Sequence, residues 1–87
     1  MKLNENFISY NIDGENILVC LDSKKFAGLV KLNSTAAVIV ETIKNEVNED
    51  VILDELIKHY TGVTREIMKV DLHNVIEKLK SIGAVDM

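Results

Sequence analysis

The segment FAGLVKLNSTAAVIVETI, which runs from Phe26 to Ile43, contains the change from strand to helix that decides the fold. In Phe26–Leu32, successive residues alternate between two sides of the chain, which is typical of a β-strand. Asn33 or Ser34 then offers a short polar side chain that can cap a helix by accepting a backbone N–H. The residues that follow are almost wholly apolar up to Ile43, which predicts a deeply buried helix.

Two further strands are predicted upstream of this segment. Phe7–Ile12 and Glu15–Leu21 both alternate with a period of two residues. Asp13-Gly14 between them is a strong hairpin signal, because both residues tolerate the positive φ angles of a type I′ turn. The polar run Asp22–Lys25 predicts a second turn. Short turns imply an antiparallel meander, and the strand that opens at Phe26 then lies at one edge of it.

Two more helices are predicted downstream. Asn48 caps the second helix, whose core positions include Leu56 and Tyr60, and Thr64 caps the third, which runs to about Ile82. The chain has no proline, linker or repeat, so residues 1–87 are predicted to form one domain. Three strands followed by three helices predict an α+β fold of the winged helix-turn-helix type, with a three-stranded antiparallel sheet.

Composition excludes several classes of function. The net charge of −4 argues against a general nucleic-acid binder, which normally has a basic face. Cys20 is the one cysteine, so neither an intramolecular disulfide nor a thiolate metal cluster is expected. The sequence has no signal peptide and no apolar run long enough to span a bilayer, which predicts a cytoplasmic protein without a membrane partner. No cofactor or metal is expected.

Several short motifs resemble one known family when they are taken in order. Leu32-Asn33 precedes the first helix, Leu56 and Tyr60 stand one turn apart in the second, and an Asp-apolar pair precedes a terminal glycine in the third. The third-helix residues of this pattern are Asp71, Leu72, Val75, Ile76, Leu79 and Gly83. Over about residues 7 to 86 this combination resembles the coenzyme PQQ synthesis protein D (PqqD-like) family. Lys44-Asn45 and Val40 depart from the family's usual Asp-Gly and large aromatic residue.

The resemblance implies a non-catalytic recognition element for precursor peptides. Such a domain binds the leader segment of a ribosomally synthesised peptide and presents it to a modifying enzyme, commonly a radical SAM protein. The leader is expected to add as a strand beside the third strand, with its side chains in a groove against the third helix. The expected peptide-binding residues are Ala27, Gly28, Leu29, Val30 and Lys31 in the strand, and Ile67, Asp71, Asn74 and Lys78 on the helix.

Three alternatives are less well supported by the sequence. A winged-helix DNA-binding regulator would use the basic residues of the third helix, but acidic residues share that helix and the tip of the first hairpin. An enzymatic function is not supported, because the positions of His59 and His73 match no motif for a metal ligand or a catalytic nucleophile. A structural subunit could use the free edge for a homodimer or a swapped strand, since an unpaired edge is a template for pairing.

Overall fold

The computed structural model of the chain describes residues 1–21 and 28–86. It contains five strands and three helices within those residues. In chain order they are β1 (Lys2–Leu3), β2 (Phe7–Ile12), β3 (Glu15–Cys20), β4 (Leu29–Leu32), α1 (Ser34–Thr42), α2 (Glu49–His59), α3 (Arg65–Ser81) and β5 (Val85–Asp86). The predicted α+β fold, with a three-stranded antiparallel sheet followed by three helices, is confirmed.

The main sheet has the strand order β2-β3-β4, with both pairs antiparallel. The hairpin between β2 and β3 turns at Asp13 and Gly14, whose φ angles of 52° and 81° are both positive, as a type I′ turn requires. A second, two-stranded sheet pairs β1 with β5 and brings the two ends of the described chain together. This pairing was not predicted from the sequence.

The third strand begins later than the alternation predicted. Gly28, which was expected inside that strand, lies just before β4 with a φ of 120°. A side chain at this glycine would meet no atom within 4 Å, so the glycine serves the backbone conformation and not close packing. Ala27, Phe26 and the predicted turn at Asp22–Lys25 lie outside the described residues.

Short polar side chains begin all three helices. Asn33 accepts the Ala36 N–H at 2.8 Å, and so resolves the choice between Asn33 and Ser34. Asn48 and Thr64 cap α2 and α3 in the same manner, as predicted. Tyr60 was predicted as a core position of the second helix, but it follows the end of α2 and is only half-buried.

The core lies between one face of the main sheet and the three helices. Phe7 and Leu18 from the sheet are buried there, together with residues such as Ile39, Leu56 and Leu72 from the helices. The opposite face of the sheet carries Ile8, Tyr10 and Ile12 on β2 and Leu29 on β4, which are all exposed. The more apolar of the two faces therefore points to solvent.

Candidate functional site

The strand β4 lies at an edge of the main sheet. It pairs with β3 through the register Val19↔Leu29 to Asn16↔Leu32, and with no other strand of the described residues. Within those residues, no backbone hydrogen bond from outside the sheet reaches Leu29–Leu32. Because β4 is a short edge strand with one bare side, its outward backbone groups are open to pairing.

The register determines which residues of β4 present those groups. In an antiparallel pair, hydrogen-bonded and non-hydrogen-bonded positions alternate. Leu21 N–H donates to the Asn6 carbonyl at 2.6 Å, which fixes the odd-numbered residues of β3 as those that bond to β2. The even-numbered residues of β3 therefore bond to β4, and their partners there are Val30 and Leu32. It follows that Leu29 and Lys31 direct their N–H and C=O groups to the free edge.

The side chains of the same two residues lie on the outer face of the sheet. Leu29 is 56% exposed, and Lys31 is exposed with its Nζ 3.7 Å from Glu15 Oε1. They border a cavity of about 410 Å³ lined by Ile12, Asp13, Glu15, Ile17, Leu29 and Lys31. Val30 instead packs against the core. Of the predicted strand residues in β4, Leu29 and Lys31 therefore face outward, whereas Val30 anchors the strand to the core.

The predicted flank of α3 is exposed along its length. Ile67 is 55% exposed, and Asp71, Asn74 and Lys78 are exposed too. The spacing of these four residues along the helix puts them on one side. Within the described residues, the side chains of Asp71, Asn74 and Lys78 have no hydrogen bond or ion pair. This side of α3 therefore has both an apolar residue and free polar groups for a ligand.

Sequence reasoning missed Val70 on this flank. Val70 is 61% exposed and stands three residues after Ile67 and four before Asn74, so it lies beside both on the helix surface. The same helical spacing that selected Ile67 could have found it. The cavity beside β4 is lined by sheet residues alone. A groove that joins β4 to the α3 flank stays a prediction.

Two of the four basic residues of α3 are bound to carboxylates. Arg65 donates to Asp54 and Asp50 at 3.0 Å each, and Lys80 lies 3.8 Å from Glu77. The hydrogen bond to Asp54, followed by that to Asp50, raises the pKa of Arg65. Because both carboxylates belong to α2, these contacts hold the Arg65 guanidinium group beside α2. This arrangement does not favour the DNA-binding alternative.

The two histidines lie apart from each other, and the sequence predicted no metal site at either of them. His73 contacts Glu49 on α2, whereas His59 lines a cavity between α1 and α2. Within residues 1–21 and 28–86, no three His, Cys, Asp or Glu residues are grouped so that they could hold a metal ion. Of the helices described, none has the length and apolar character needed to cross a membrane.

Two comparisons with known proteins give a match. The sequence model of the family described as coenzyme PQQ synthesis protein D (PqqD) matches residues 11–85. A solved structure, TbiB1 in complex with the TbiA(beta) leader peptide, superposes with a TM-score of 0.76 and 23% sequence identity, and covers 99% of this chain and 100% of TbiB1. At that identity the likeness to TbiB1 shows a shared fold. No curated protein matches the chain.

Proposed function

The chain belongs to the coenzyme PQQ synthesis protein D family, and from that premise we propose that it is a non-catalytic recognition element for a ribosomally synthesised precursor peptide. In this proposal the leader segment of the precursor adds as a strand beside β4. The domain then presents the precursor to a modifying enzyme such as a radical SAM protein. The solved complex of TbiB1, a protein of the same fold, with a leader peptide supports this choice of ligand.

The observation that carries the proposal is the bare edge of β4. The four outward backbone groups of Leu29 and Lys31 match the requirement of strand addition, in which main-chain hydrogen bonds supply affinity. Four such bonds contribute roughly 2–6 kcal/mol in total, at about 0.5–1.5 kcal/mol each. Buried side chains of the guest would add to this, while ordering a flexible leader opposes it, so affinity on the order of micromolar is expected.

The pairing also directs alternate side chains of the guest to opposite faces of the sheet. Guest residues opposite Leu29 and Lys31 project onto the outer face of the sheet, because directly paired residues share a face. There they extend an apolar surface formed by the exposed side chains of Ile12 and Leu29 and the half-buried Ile17. Guest residues opposite Val30 project to the helix side. In our proposal, these residues contact the flank formed by Ile67, Val70, Asp71, Asn74 and Lys78.

Amide hydrogen exchange with and without leader peptide tests this function. The probe is the synthetic leader encoded by the short open reading frame nearest to the gene. Protection is expected to rise at Leu29 and Lys31, whose N–H groups would gain partners. Val30 and Leu32 serve as internal controls, since their N–H groups already bond to β3. Binding that protects Ser9 and Asn11 on β2 instead, or no binding at all, would overturn the proposal.

The predicted homodimer would use the same backbone groups of β4. A second copy that pairs through β4 would occupy the outward groups of Leu29 and Lys31, so it would compete with the leader. The dimer stays a prediction, and sedimentation of the domain with and without leader peptide measures it directly.

A further inference from the structure

The net charge of the chain is confined to its middle third. Residues 1–32 carry four basic and four acidic residues, and residues 61–87 carry the same numbers. Residues 33–60 carry six acidic residues and only two lysines, and so contribute the entire net charge of −4. These residues form α1, α2 and the connection between them. The segment that forms α1 and α2 thus carries the acidic excess of the chain, although Arg65 of α3 pairs with Asp50 and Asp54, and the N-terminal amine with Glu46.

An apolar groove lies between those two helices. It has a volume of about 490 Å³, which is within the range of roughly 300–1,000 Å³ that ligand pockets span. Four of its lining residues are apolar: Ala37, Val38, Val47 and Val51. Val51 is 41% exposed, although its backbone is fixed at the start of α2 by the Asn48 cap. The groove therefore offers rigid apolar surface that the chain's own residues leave accessible.

Two carboxylates line this groove, one from each helix. Glu41 lies on α1 and Glu55 on α2. Each is paired with the lysine three residues further along the chain. Lys44 Nζ is 2.8 Å from Glu41, and Lys58 Nζ is 3.3 Å from Glu55. Exposed pairs of this kind contribute little to stability, so both carboxylates can exchange these lysines for cations of a partner.

Glu41 connects the groove to the main sheet. Ser9 on β2 donates its hydroxyl to Glu41 Oε1 at 3.4 Å, and a small cavity there is lined by Glu41 together with residues of both edge strands, including Ser9 and Leu32. The strand β2 is at the opposite edge of the sheet from β4. Of the described residues that line the groove, none belongs to β4, so a ligand there need not contact Leu29 or Lys31.

We propose that the α1–α2 groove is a second binding site, which docks a basic amphipathic helix of a protein partner. Apolar residues of that helix would lie along Ala37, Val38 and Val51, in the helix-in-groove mode of recognition. Lysine or arginine residues at its margins would pair with Glu41 and Glu55, and the surrounding negative field would accelerate association. This site stands whether or not β4 binds a leader. If both are occupied, the domain holds a peptide at the β4 edge of its sheet and a protein between α1 and α2.

Binding of a synthetic basic helix tests the site. The probe is a peptide of about four helical turns with a leucine stripe flanked by lysines, and its twin has glutamate in place of every lysine. In a nitrogen-15 NMR titration, the lysine peptide is expected to shift the amides of Val38, Glu41 and Val51 and to leave those of Leu29 and Lys31 in place. Shifts confined to the outer sheet face, or equal binding of the glutamate twin, would refute the proposal.

Two matched double variants distinguish a specific effect of the groove carboxylates on peptide affinity from a general effect of negative charge. The variant E41Q/E55Q removes the two groove carboxylates and is expected to weaken the lysine peptide about tenfold. The variant E66Q/E77Q removes two carboxylates of α3, one of them also in an i,i+3 pair with a lysine, and should leave the affinity unchanged. Equal losses in both variants would overturn the assignment.

A second copy of the chain is the competing occupant of the groove. Sedimentation of the free domain distinguishes the two, because a dimer closed through the groove would dissociate in a Val51→Lys variant. That result would contradict a heterologous helix as the ligand. Leader binding is measured on the same E41Q/E55Q protein and is expected to be unchanged. Failure of the groove can thus be told apart from failure of the β4 edge.

Discussion

Other parts of the chain cover the two edges of the main sheet to different extents. At β2, the Phe7 N–H donates to the Asn4 carbonyl at 3.0 Å, and the N-terminal residues and Lys44 border a cavity of about 330 Å³ beside the strand. At β4, the outward groups of Leu29 and Lys31 have no such partner within the described residues. Because bare edges invite strand addition, partial cover of one edge directs a guest to the other.

A proline on each edge gives the largest expected effect. Leu29 is the first residue of an edge strand and its N–H points outward, which is a position where a sheet tolerates proline. Leu29→Pro keeps the bonds to β3 but removes a donor from the free edge. The guest carbonyl opposite it is then left without a donor, which costs about 1–3 kcal/mol, so we expect leader affinity to fall roughly thirtyfold, measured by calorimetry, with the fold retained by circular dichroism.

Asn11→Pro on β2 is the matched control for that variant. Asn11 also directs its N–H outward from an edge strand, because its pairing with Asn16 is a non-hydrogen-bonded position. If β4 alone receives the guest, Asn11→Pro leaves leader affinity unchanged. The reverse pattern, in which only Asn11→Pro weakens binding, would move the guest to β2.

Ile67→Asp tests whether the guest reaches from β4 to α3. Ile67 is 55% exposed and its backbone N–H, not its side chain, bonds to the Thr64 cap, so the variant should fold normally. Loss of a buried contact with an Ile side chain costs about 1.5–3 kcal/mol, which predicts at least tenfold weaker binding of the leader by calorimetry. Val51→Asp, on the groove between α1 and α2, is the control. Unchanged affinity of folded Ile67→Asp would remove α3 from the site.

The sequence predicted the hairpin and the caps because their causes are local. Asp13-Gly14 requires positive φ at two adjacent residues, and Asn33, Asn48 and Thr64 each bond a backbone N–H three residues on. Such contacts involve neighbours in the chain, so residue type and spacing are sufficient to find them.

Other features depend on distant partners and left no local pattern. The pairing of β1 with β5 joins Leu3 to Val85 through strands of only two residues each, too short for alternation to show. Tyr60 was expected in the core, but its hydroxyl donates to Ser34 on α1 at 3.0 Å and so lies at the boundary of the core. Alternation also cannot tell which sheet face is buried, and here the more apolar face of β2 is exposed.

Substitution of one glycine near each edge of the sheet is expected to have smaller effects. Gly28 before β4 and Gly14 in the β2–β3 hairpin have φ angles of 120° and 81°, and an added Cβ would meet nothing within 4 Å at either. Alanine at each position is therefore expected to lower the free energy of unfolding by about 1–2 kcal/mol through backbone strain alone, measured by urea titration. Only Gly28→Ala should also weaken leader binding, by severalfold, since it changes the approach to β4. Equal binding by both variants would show that Gly28 does not shape the edge.

Lys31→Gln probes the side chain of a residue whose backbone is proposed to pair with the guest. The Lys31 Nζ is 3.7 Å from Glu15 Oε1, and both side chains are more than half exposed. Exposed pairs contribute about 0–1 kcal/mol, so the urea midpoint should move little. If the guest recognises the backbone of Lys31, leader affinity at high salt should equal that of the unaltered protein. A loss that persists at high salt would mean that the guest contacts the lysine side chain itself. Glu15→Gln breaks the same ion pair from β3, away from the free edge, and separates loss of the pair from loss of the lysine.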